Sequence, residues 1–197
     1  MMKPEWISAA GTFVTGLAAL VAGWAALRGL GTWRSELVGR RKAELAEEIL
    51  AQFYRARDVL TWARTPLVLD QNARGDGARG ASRNQALSAP IERITEESEL
   101  FSQLHANRYR FIAYFGEAAA SAFEELRSVH AEVVTAAGEL VRDNGDPAAL
   151  GLQEERRGNW EGTIGWGSPK DDRIPARVDD AVRKIEQICL PLIQDAR

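Results

Sequence analysis

The hydrophobic and polar positions divide the chain into an apolar opening followed by a series of striped segments. From Trp6 to Leu27 there is no Asp, Glu, Lys or Arg. The large apolar residues Trp6, Ile7, Phe13, Val14, Leu17, Leu20, Val21, Trp24 and Leu27 lie all round a helix drawn through this stretch and form no single stripe. Residues 6 to 27, 22 in all, reach about 33 Å at 1.5 Å per residue, enough for a bilayer core of about 30 Å. Trp6 and Trp24 stand near the two ends, where aromatic side chains favour the interface. The pattern predicts a short tail over 1–5 and a transmembrane helix over 6–27. A buried helix of a soluble domain would be striped. A cleaved signal peptide would have more than Lys3 ahead of it and a small-x-small site after it.

Past Leu27 the apolar residues recur at three and four. Leu45, Ile49, Phe53, Ala56, Leu60 and Ala63 predict a helix over about 35–63. Thr65-Pro66 ends it, because the residue before proline avoids the helical region. Glycines and arginines then predict a mobile loop over about 67–89. A second helix starts near Pro90, runs through Ile94, Phe101, Leu104, Phe111 and Phe115, and stops at Gly116. A third, over about 118–142, carries Phe123, Leu126, Val129, Val133, Ala137 and Leu140. The connection between them is so short that they must run antiparallel, and facing residues should have numbers summing to about 235. A second loop is expected over 143–174, with a short helix near 147–156. A last helix from Pro175 carries Val178, Val182, Ile185, Ile188 and Leu192, with Pro191 disturbing its end. The expected fold is all-α, one N-terminal transmembrane helix followed by an antiparallel four-helix bundle within 28–197.

Composition supports the helical reading and gives the chain a direction. Ala and Leu number 31 and 19 against 29 for Val, Ile and Thr together, a balance that disfavours a sheet. One cysteine, Cys189, excludes a disulfide framework and suits a reducing compartment. Residues 28–64 hold eight basic and five acidic groups, and 65–197 hold 16 and 22. The membrane-proximal part is therefore basic and the distal part acidic. By the positive-inside rule the tail lies outside and residues 28–197 are cytoplasmic, beneath an inner membrane. The basic collar suits anionic lipid headgroups, while the acidic body argues against nucleic acid as a partner.

Several short runs point to relatives. Arg41-Lys42-Ala43-Glu44-Leu45-Ala46, Phe53-Tyr54, Arg57-Asp58 and Arg64-Thr65-Pro66 are four of them. Leu100-Phe101, Leu104-His105-Ala106, Arg108-Tyr109-Arg110-Phe111 and Phe115-Gly116 complete the set. In these the chain resembles a family of uncharacterised bacterial membrane proteins, each with a single N-terminal span and a helical cytoplasmic domain. The resemblance runs from the span to the last helix, omits the loop over Asp70 to Ser88, and implies no activity, cofactor or catalytic residue.

Candidate chemistry centres on the predicted hairpin. The sum rule sets His105 opposite His130 and Arg108 near Arg127, four residues suited to a small anion. A metal is not expected, because bundle metal sites use Glu-x-x-His and the residues three before the histidines are Ser102 and Arg127. The plainer reading pairs Arg108 and Arg110 with Glu124, Glu125 or Asp58. Trp160 and Trp166, among four glycines, either dock a protein partner or cap the core. Gly16, Ala19 and Gly23 belong to small-residue ridges that let spans pack together, which points to a homo-oligomer. No nucleophile elbow, phosphate loop, dinucleotide fingerprint or paired-histidine zinc motif occurs. The expected function is a membrane-anchored helical scaffold or interaction module without enzymatic activity or cofactor, the alternative being a tethered sensor of a small anionic ligand.

Overall fold

The stripe that begins at Ala43 is the end of one much longer helix. The computed structural model describes residues 5–66, 76–143 and 154–195, with side chains described from residue 15 onward apart from 26, 27, 29–32, 35 and 76–82. Helix α1 runs unbroken over Glu5–Ala63, so the predicted span and the first bundle helix are continuous. At 1.5 Å per residue its 59 residues extend for about 90 Å. Gly29, Gly31 and Gly39 lower helix propensity by about 1 kcal/mol each without ending it.

The remaining helices are α2 (Asp76–Glu96), α3 (Ser98–Phe115), α4 (Ala120–Asp143), α5 (Glu154–Thr163) and α6 (Ile174–Asp195), with a 3-10 turn at Glu117–Ala119 before α4. No strand occurs among the described residues. The C-terminal part of α1, the α2–α3 pair, α4 and α6 form four packed columns, with α5 against α4. Directions follow from side-chain pairs. Tyr54 meets Glu186 and Arg64 meets Asp172, so α1 and α6 are antiparallel. Arg55 meets Glu97 and Asn107 meets Glu48, so α2 and α3 also descend against α1.

Three expected boundaries differ. The short helix expected near 147–156 is found at Glu154–Thr163, within the second expected loop. Residues 76–89, expected within a loop, belong to α2, where Ala86, Leu87 and Ala89 are buried. Small apolar residues facing α4 outweigh the loop-like glycines there, and Pro90 lies inside the helix rather than at its start. The helix expected over 90–115 breaks at Glu97, in the polar run Thr95-Glu96-Glu97-Ser98-Glu99, where no apolar side chain holds the register. Residues 67–75 and 144–153, parts of the two expected loops, lie outside the described residues.

The core joins Ile49, Phe53 and Leu60 of α1 to Phe111 of α3, Val129 and Val133 of α4, and Ile185 and Cys189 of α6. Each large side chain so buried contributes about 1.5–3 kcal/mol. Phe53 packs edge-on to Phe123 with ring centroids 5.0 Å apart, and Phe111 lies 5.5 Å from Phe123. Leu87, Ala136, Ala137, Leu140 and Ile164 form a second cluster that Trp160 and Trp166 cover as partly buried rings.

Before Ala43, α1 leaves this core. Leu17, Leu20, Val21, Trp24 and Trp33 are all exposed. Among the described residues no helix is long and apolar enough to cross a membrane. The side chains of 6–14, 26 and 27, which complete the stretch expected to span, lie outside the described set.

Candidate functional site

The α3–α4 hairpin is built by Gly116. Its φ of +83° is costly for any residue with a Cβ, and its N–H caps α3 by donating to the Ile112 carbonyl at 2.8 Å. The turn brings Phe111 to Phe123, Arg108 to Glu124 and Phe101 to His130. These pairs sum to 234, 232 and 231, falling a helical turn short of the expected 235 toward the break at Glu97, so His130 stacks on Phe101 and not opposite His105, which stacks on Tyr109 instead.

Between α2, α3 and α4 lies an open groove of about 570 Å³. His105, Arg108, Arg127 and His130 all line it. Arg108 Nη2 reaches Glu124 Oε1 at 2.7 Å, and Arg127 Nη2 reaches Glu124 Oε2 at 3.0 Å. One carboxylate thus holds two guanidiniums, as the plainer reading of Arg108 anticipated in naming Glu124. Arg110 instead donates to Asn107 Oδ1 and approaches Glu48 at 3.8 Å. The hydrogen bond from Arg127, with the Arg108 charge beside it, keeps the Glu124 carboxyl below the usual carboxylate range. Arg108 Nε is buried and has no hydrogen-bond partner. His130, 4.3 Å ring to ring from Phe101, is pushed below the ordinary histidine range by burial, which favours the neutral imidazole. His105 stacks edge-on to Tyr109 at 5.8 Å. The rest of the groove is mainly apolar, including Ile91, Ile94, Leu126 and Val134.

Trp160 and Trp166 lie elsewhere, at the end of the bundle formed by α5. Trp166 N–H donates to Glu161 O at 2.7 Å and Gly165 N–H to Gly162 O at 3.1 Å, the paired bonds of a Schellman cap with Gly165 at φ +84°. The cap turns both rings onto the second apolar cluster, the arrangement expected of a core cap. Gly16, Ala19 and Gly23 sit on the exposed part of α1, and a Cβ built at either glycine would meet nothing within 4 Å.

Two ionic clusters, one around buried Arg64 and one around half-buried Arg177, escaped the sequence reading. Arg64, only 7 % exposed, donates from Nε to Thr163 O at 2.7 Å and from Nη2 to both Asp172 carboxylate oxygens at 2.7 Å. Asp172 Oδ1 also accepts the Ile174 N–H at 3.1 Å, capping α6. The one available signal was an Asp shortly before the Ile174-Pro175 helix start. Arg177 joins α6 to α4 through Glu125, Ser128 and Glu132. Neither cluster leaves a free nucleophile or base. Cys189 is fully buried, and burial pushes its thiol up to about 12, far from a reactive thiolate. Among the described residues no three His, Cys, Asp or Glu side chains gather as metal ligands.

No protein-family model matches this chain, and neither a characterised protein nor a solved structure does. Its function is therefore argued from its own surfaces.

Proposed function

We propose that the chain is a single-span membrane protein whose N-terminal stretch, Trp6 to Leu27, lodges in the bilayer and carries the helical bundle as a scaffold or interaction module. The observation that carries this reading is the exposed apolar half of α1. Leu17, Leu20, Val21 and Trp24 are exposed on a stretch of α1 that no other element covers among the described residues, an arrangement that calls for another medium or another chain. The described residues alone do not make a span. The reading joins them to the uncharged sequence that begins at Trp6.

The segment between Leu27 and Ala43 suits an interface. It extends about 24 Å and carries exposed Trp33, Leu37 and Val38 among exposed Arg34, Arg40 and Arg41. Arg28 lies 4.5 Å from the centroid of the Trp24 ring. Tryptophans with basic neighbours anchor at headgroup depth, and basic groups favour the cytoplasmic leaflet. Gly16, Ala19 and Gly23 offer a flat ridge for a second span, so the membrane-bound protein self-associates.

Flotation of the full chain with vesicles containing an anionic lipid tests the reading. The protein should rise with the vesicles and resist carbonate extraction, whereas Leu17→Asp with Leu20→Asp should leave it at the bottom of the gradient. A wild-type chain that stays behind, or that carbonate strips off, overturns the anchor. In detergent, Gly16→Leu with Gly23→Leu should lower the stoichiometry, and an unchanged oligomer removes the packing ridge.

A further inference from the structure

The groove between α2, α3 and α4 holds both of its guanidiniums at one end. Toward the α3–α4 turn stand Arg108 and Arg127 beside Phe123 and Leu126, and toward the break at Glu97 stand Ile91, Ile94 and Val134 with the small polar Thr95 and Ser98. Arg127 and Val134 are seven residues apart on α4, about 10 Å along the axis. Among the described residues no carboxylate lines the groove, and Glu124 is the acid paired with both guanidiniums, which leaves the polar end an excess of one positive charge. Arg108 Nε, a buried donor without an acceptor, sits at that end. The two guanidiniums stand beside an open volume of about 570 Å³, within the range of small-molecule sites.

We infer that the groove binds a small amphipathic monoanion, an acyl or aryl carboxylate, with its carboxylate on Arg108 and Arg127 and its apolar body along Phe101 toward Val134. One excess charge matches a monoanion. A dianion such as free phosphate would bring more charge than the site balances and no body for the far end. The inference is independent of the membrane reading, since the groove lies wholly in the bundle.

The test uses the full chain in nonionic detergent with three probes, octanoate, octanol and acetate, each read as a shift in the midpoint of thermal unfolding against a protein-free blank. Octanoate should stabilise saturably, while octanol, which lacks the charge, and acetate, which lacks the body, should not at equal concentration. Arg127→Gln, at a mostly exposed side chain, should weaken octanoate at least tenfold. Thr95→Trp, which fills the far end, should abolish the shift. Arg108→Ala removes a partly buried ion pair and is read only if it folds. Equal stabilisation by octanol, or an octanoate shift that survives both Arg127→Gln and Thr95→Trp, overturns the inference. A Thr95→Trp variant that dissociates an oligomer instead assigns the groove to a second copy of the chain and also overturns it. Flotation is unaffected by any of these results, so failure here and failure of the membrane anchor are separable.

Discussion

Leu20 and Phe53 lie on the same helix, yet Leu20 is 73 % exposed and Phe53 is wholly buried. Both halves of α1 are helical and rich in apolar side chains, but they differ in pattern, uncharged and unstriped over 6–27 against striped over 45–63, and in partners. From Ala43 onward α2, α3 and α6 cover the stripe; among the described residues the end of α6, at Leu192 and Asp195, comes beside Trp33 to Arg40, and Leu17 to Trp24 stay exposed. The charged residues follow the same division. In the bundle half they form defined pairs, such as Arg55 with Glu97 and Arg64 with Asp172, and between Leu27 and Ala43 they form an exposed basic collar. A helix that buries one stripe at one end and bares apolar side chains at the other is what the proposed membrane anchor would require.

The sharpest way to break this comparison is to truncate an apolar residue in each half. Phe53→Ala should cost about 3–5 kcal/mol in urea unfolding, the range for a buried aromatic, whereas Leu20→Ala should stay within about 0.5 kcal/mol. Equal costs would mean that the projecting half is folded into the bundle. Next comes the junction where α1 ends. Arg64→Met takes the guanidinium from the Asp172 carboxylate and from two carbonyls in the last turn of α5, and should cost about 2–3 kcal/mol, read as a lower urea midpoint. Gly165→Ala meets both a left-handed φ and the Arg64 carbonyl, and about 1–2 kcal/mol is expected in the same measurement.

The smallest effect is a pH dependence confined to the bundle. His130 titrates lower in the folded protein than in the unfolded chain, where its value is about 6.5. Below that value the unfolded state binds the extra proton, so the contribution is intact at pH 7 and is lost as pH falls through the folded value. The unfolding midpoint should therefore drop on going from pH 7 to pH 5.5, and His130→Phe should flatten that limb. Glu132, held low by Arg177, adds a separate loss at more acidic pH, below the ordinary glutamate range.

The stripes of α4 and α6 were legible because tertiary packing left their helical period undisturbed. Val129, Val133 and Leu140, and Val178, Val182 and Ile185, are all buried where the period puts them. The hairpin was legible because Gly116 fixes a short turn and counting then aligns the two sides, which is how His105, Arg108, Arg127 and His130 came to line one groove. Helix α2 was not, since Gly77, Gly80 and Arg79 mark a loop locally and only contact with α4 shows otherwise. The Arg64 cluster was hidden for a similar reason. It joins residues more than ninety positions apart through backbone carbonyls, which carry no side-chain signature.

Site-directed spin labelling tests the proposed membrane anchor most directly. Cys189 is buried with its thiol pushed up to about 12, so a new cysteine at Leu20 or at exposed Ala51 takes the label selectively. In anionic vesicles the label at Leu20→Cys should be accessible to oxygen and shielded from a polar nickel chelate, and the label at Ala51→Cys should show the reverse. Equal access of the nickel chelate to both positions would contradict the account, because it would place the two halves of α1 in the same water.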